Sequence, residues 1–90
     1  MTVDNPLGQW RHEIDTLDTQ LLMALAARQQ VVLKIGAYKK EHGLPSLDPA
    51  RWQAVLASRK ALGEAHGLCP DFIQGLYNLI HDYSLELESE

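Results

Sequence analysis

Residues 7–40 read LGQWRHEIDTLDTQLLMALAARQQVVLKIGAYKK, and their spacing decides the fold. Leu7, Trp10, Ile14, Leu17, Leu21, Ala24, Val31, Ile35 and Tyr38 recur at steps of three, four or seven residues. That period predicts a helix with a heptad-like apolar seam. Asn5 followed by Pro6 marks its start, an N-cap side chain with proline in the first turn. Gly43, Leu44 and Pro45 mark the next break. No proline interrupts the stretch, and Gly36 is its only glycine past the first turn.

A helix of about 37 residues is roughly 55 Å long. A compact domain of 90 residues has a radius of gyration of only about 12 Å. The helix is too long for a compact monomer, and two shorter helices cannot cover its whole seam. The expectation is an all-α fold of three helices, one long and two shorter, in an intertwined homodimer.

Beyond the break, Asp48 and Pro49 repeat the start signal. A second helix then runs to about His66, with Trp52, Val55, Leu56 and Leu62 as its apolar positions and Gly67 as its stop. Pro70 opens a third helix carrying Phe72, Ile73, Leu76, Tyr77, Leu79, Ile80, Tyr83 and Leu87. Nothing reads as a strand, a repeat or a low-complexity segment. Residues 1–90 read as a single helical domain, and Met1 with helix signals near both ends reads as a complete chain.

Composition narrows the class. A hydrophobic share of 46% suits a folded domain rather than a disordered one. No apolar run approaches the roughly 18 residues of a membrane span. Met1 to Gly8 has neither the basic start nor the apolar run of a signal peptide. Cys69 is the only cysteine, which excludes an intramolecular disulfide and argues against a cysteine-based zinc site. These features suggest a cytoplasmic protein. The net charge of −4 argues against nonspecific nucleic-acid binding but leaves room for a small anionic ligand held by local positive charge.

One cation stands out. Continuing the heptad count from Leu21 and Ala24 puts Arg28 in the seam, where arginine is rarely buried without a partner. It is either an internal ion pair or snorkelling side chain, or a cation aimed at an anionic ligand in the bundle. Lys39 lies 11 residues on, within about 20° of Arg28 around the helix and about 16 Å along it. Long side chains leaning inward could hold a small dianion between the two, with Val32 and Ile35 as an apolar floor. Arg11 lies about 100° away and some 25 Å along the axis, so it could reach the same ligand only across an antiparallel dimer. His81, Ser84 and Glu88 form a polar stripe at helical spacing, with Leu85 beside it. That stripe is either a solvated, frayed C-terminal turn or part of the same site.

Together these residues resemble the all-helical class of chorismate mutases. The segments that carry the resemblance are LGQWRHEIDTLDTQLLMALAAR, KIGAYKKEHGLPSLDPAR and FIQGLYNLIHDYS, over about residues 6–88. The resemblance implies an interlaced dimer with two equivalent active sites, converting chorismate to prephenate on the way to phenylalanine and tyrosine. It implies no metal and no cofactor. The reaction is an intramolecular Claisen rearrangement, in which an ether C–O bond breaks as a C–C bond forms. Two jobs follow: folding the enolpyruvyl chain over the ring, and stabilising negative charge on the ether oxygen.

By the same resemblance, Arg28 and the second chain's Arg11 clamp the carboxylates, a task that suits guanidinium geometry. Lys39 donates to the ether oxygen. Asp48 lies near the ring hydroxyl, although it serves equally well as an N-cap. Arg51 is a supporting cation, and Ser84 helps to bind a carboxylate. Val32, Ile35, Trp52, Val55, His81 and Leu85 line the pocket.

Two departures from the family pattern bear on the chemistry, and His81 is a third unusual position. Many relatives carry glutamate at the position of Trp52, where it accepts from the ring hydroxyl, and indole is a donor only. Many bacterial relatives carry glutamine at the position of Glu88, whose amide donates to the ether oxygen. An ionised glutamate only accepts hydrogen bonds, so Glu88 could donate only when protonated. The expectation is an enzyme favoured by mild acid, with Glu88 as a catalytic group beside Lys39 and Arg28. An aliphatic residue is usual in relatives at His81. Three other readings remain: a mutase for an amino-substituted chorismate, an isochorismate pyruvate-lyase on the same fold, and a noncatalytic helical dimerisation or regulatory module. Trp52 and Glu88 favour the last, whereas Arg28 in a seam favours an enzyme.

Overall fold

The computed structural model describes residues 5–89. Residues 1–4 and 90, on which the N-terminal signal reading and the ends of the single-domain reading partly rest, lie outside the described residues. Three helices make up the architecture: α1 (Leu7–Glu41), α2 (Pro49–Ala65) and α3 (Pro70–Ser89). No strand occurs among the described residues. The expected all-α class holds; each helix begins, and α1 and α2 end, within a residue or two of its sequence signal.

The ends form for local reasons. The Asn5 Oδ1 accepts from the Leu7 backbone N–H at 2.9 Å, which satisfies one of the orphan donors of a helix start. The Asp48 side chain caps α2 by accepting from the Arg51 N–H at 3.1 Å, with Pro49 in the first turn. Both helix stops are glycines with positive φ, Gly43 at 65° and Gly67 at 80°. At the first, the Leu44 N–H reaches back to the Lys39 carbonyl (2.8 Å) and the Gly43 N–H to that of Lys40 (3.3 Å). At the second, the Leu68 and Gly67 N–H groups reach Gly63 and Glu64. This is the paired closure that a left-handed residue permits, and glycine adopts that conformation without a Cβ penalty.

The described chain divides into two units, which part between Val31 and Val32. The first is helical from Leu7 onward, and none of its described residues is buried. Leu7, Trp10, Ile14, Leu17, Leu21, Leu22, Met23 and Val31 are each between 46% and 67% exposed. The second unit holds the last turns of α1, with α2 and α3. Its small core is Val32, Val55 and Ile73.

Within this second unit α2 and α3 run antiparallel. Near their connection, Gly63 faces Ile73 so closely that a Cβ on it would sit 2.7 Å from the isoleucine Cγ1. One turn further, the Lys60 Nζ donates to the Gln74 Oε1 at 3.0 Å. Further still, Trp52 stacks on His81. Each step back along α2 is met by a step forward along α3. The register ends at the loop before α2 and the last turn of α3, where the candidate site begins.

Candidate active site

The last turns of α1 bring Lys39 to the open end of the α2–α3 pair. Its Nζ donates to the Ser46 carbonyl and to the Glu88 Oε1, both at 2.7 Å. The ion pair is sheltered: the Lys39 side chain is 20% exposed and that of Glu88 10%. The alternative of a frayed, solvated Glu88 therefore does not hold. Ser46 was not a candidate on sequence grounds, because a backbone acceptor leaves no mark in residue type.

Gly36 makes this junction possible. It is buried, and a Cβ built on it would lie 2.9 Å from the Cα of Glu88, a backbone atom that cannot turn aside. A glycine costs stability inside a helix. Here it lets α1 and α3 approach closely enough for Lys39 and Glu88, 49 residues apart, to meet.

The remaining candidates of the second unit differ in burial. Val32 and Val55 are both 8% exposed and belong to the core, while Ile35 is 44% exposed. Ser84 is 9% exposed, and its Oγ donates to the Ile80 carbonyl at 2.8 Å, one turn back on its own helix. Leu85 is half-buried. Asp48 and Arg51 are exposed at the start of α2, where the Asp48 side chain is engaged as the cap. Trp52 and His81, both half-buried, stack with ring centroids 3.9 Å apart and planes 12° from parallel. Both residues were singled out by sequence, but their pairing across two helices needs the register of α2 on α3. Arg11, exposed, and Arg28, half-buried, belong to the first unit.

Chemically, the second unit offers a sheltered ammonium, an adjacent carboxylate, a buried hydroxyl and an aromatic–imidazole stack. No group of three histidine, cysteine, aspartate or glutamate side chains is placed to hold a metal ion among the described residues. No described helix is long and apolar enough to cross a membrane.

Comparison with known proteins gives a consistent result. The family model described as chorismate mutase type II matches residues 10–89. A 4-amino-4-deoxychorismate mutase of Streptomyces pristinaespiralis is 35% identical over 86 residues, covering 96% of this chain and 67% of that protein. The T-protein of Enterobacter agglomerans is 36% identical over 80 residues, covering 89% of this chain but only 21% of that much longer protein. Among solved structures, a chorismate mutase from Thermus thermophilus superposes with a TM-score of 0.89 at 30% identity, covering 96% of this chain and 97% of that one.

Proposed function

Because the chain belongs to the chorismate mutase type II family, we propose that it catalyses the rearrangement of chorismate to prephenate. The observation that carries this reading is the meeting of Lys39 and Glu88 at 2.7 Å in a sheltered corner. A lysine ammonium there stabilises charge growing on the ether oxygen in a site partly withdrawn from water, where such a contact is worth most. The reaction needs no proton or electron from the protein. The C–O bond breaks as the C–C bond forms within one molecule, and the protein contributes orientation and electrostatics.

In this reading Arg28 and the Arg11 of a second copy clamp the two carboxylates, Arg51 adds positive field, and Ser84 assists at a carboxylate. Asp48 stands near the ring. Val32, Ile35, Val55, Trp52, His81 and Leu85 form the walls. The working unit is a homodimer of single-domain chains in the cytoplasm. The apolar residues left exposed along residues 7–31 support the dimer, since a second copy of the same helix would cover them.

A second reading has its own support. Trp52 offers no acceptor for a ring hydroxyl, and a similar protein is named for an amino-substituted chorismate. The test is turnover of chorismate from about pH 5 to 8 with the product identified, beside 4-amino-4-deoxychorismate and isochorismate. Prephenate formation supports the mutase. Pyruvate release from isochorismate alone would replace it with the lyase. No turnover of any of the three would leave a binding module, which should then keep its partner after Arg28→Ala.

A further inference from the structure

We propose that the Trp52–His81 stack is a specificity element that reads a hydrogen-bond donor, hydroxyl or amine, on the substrate ring. The assignment rests on the mutase reading and names the group that recognises the ring. Three observations carry it. The two rings lie face to face across α2 and α3, so the imidazole is held in one plane rather than left to rotate. The His81 ring nitrogens have no hydrogen-bond partner among the described residues. The side chain is half-buried, yet neither ring nitrogen is closed off from solvent, so both are open to a ligand.

Position supplies the rest. His81 and Glu88 are seven residues apart on α3, which places them within about 20° on one helix face and about 10 Å apart along it. That is the span of a small substituted ring. Ser84 and Leu85 lie between them on the same face. A ring whose ether oxygen meets Lys39 beside Glu88 extends along this face toward His81. A neutral imidazole offers one acceptor nitrogen, which suits an O–H or N–H donor, while the indole of Trp52 can only donate. Of the two stacked rings the acceptor is therefore the histidine, the Asp48 carboxylate being engaged in the cap of α2, and the tryptophan fixes its orientation.

The test compares three ligands on the intact protein: chorismate, 4-amino-4-deoxychorismate, and the chorismate analogue with hydrogen in place of the ring hydroxyl. For His81→Leu, kcat/KM should fall about 10-fold on the ligand whose donor is read, mainly through KM. It should change by less than about 2-fold on the analogue that has no donor to lose. The larger loss, on the hydroxyl or the amino ligand, identifies the donor. His81→Asn, which keeps an acceptor, should recover most of the loss, and Trp52→Phe, which keeps a stack, should cost less than His81→Leu.

An equal loss on all three ligands would show a merely structural role and overturn the proposal. So would an unchanged kcat/KM for His81→Leu on both donor-bearing ligands, with the mutase assignment left standing. A parent protein that turns over none of the three would overturn the mutase reading and this assignment together.

Discussion

Lys39 meets two oxygen acceptors at 2.7 Å, and only one of them is a side chain. The Ser46 carbonyl orients the ammonium, and the Glu88 carboxylate sets a negative charge beside it, close to the dianionic substrate of the proposed reaction. Removing that charge while keeping an acceptor and adding a donor should help at neutral pH. Glu88→Gln is expected to raise kcat/KM for chorismate at neutral pH by about 10-fold, because an amide can donate to the ether oxygen where a carboxylate only accepts. An unchanged or lower kcat/KM in Glu88→Gln would count against a role for Glu88 in the reaction. Lys39→Ala should lower kcat by about 100-fold or more, the scale for losing one preorganised donor to a developing oxyanion, and pre-steady-state turnover would measure it.

At the scale of the helices, the site depends on how closely α1 approaches α3. Gly36→Ala places a methyl group 2.9 Å from the Glu88 Cα, so one helix has to move. Helix propensity alone predicts that Gly36→Ala stabilises α1 by up to about 1 kcal/mol. The packing predicts the opposite, a destabilised protein with a displaced Lys39–Glu88 pair. Urea denaturation with a parallel assay decides between them, and a more stable, fully active variant would rule out the close approach. The cap of α2 is a separate matter. Asp48→Ala should cost about 1 kcal/mol through the lost contact to the Arg51 N–H. A larger fall in kcat/KM than this stability loss explains would place Asp48 at the substrate as well as at the cap.

For the whole molecule, the question is what covers residues 7–31. That segment is a helix without a buried residue, with Trp10, Ile14, Leu17 and Leu21 all more than half exposed. Soluble chains rarely leave so continuous an apolar stripe uncovered. A homodimer is expected by sedimentation equilibrium, with a melting temperature that rises with protein concentration, as linked folding and association require. Leu17→Glu, which sets a charge in the stripe, should yield monomers and abolish chorismate turnover, because Arg11 would then have no second chain to serve. A concentration-independent monomer with full activity would rule out the shared site.

The helices and their ends were legible in residue order alone. The three-and-four spacing of residues 7–38, the Asn5 and Asp48 caps, and the Gly43 and Gly67 stops are local chemistry, settled within a few residues of each position. The candidate residues were marked for different reasons: Arg28 because it falls in the apolar seam, Lys39 because it shares that face about 16 Å on, and Glu88 through the polar stripe of α3 and the family resemblance. The pairings were not legible. Lys39 with Glu88, Trp52 with His81 and Gly36 beneath the α3 backbone each join residues far apart in the chain. Such contacts depend on the register of one helix against another, which is decided by packing over whole faces. Residue order determined which chemistry this chain carries, and tertiary structure decided which groups face one another, because periodicity reports a residue's side of its own helix and nothing of what lies opposite.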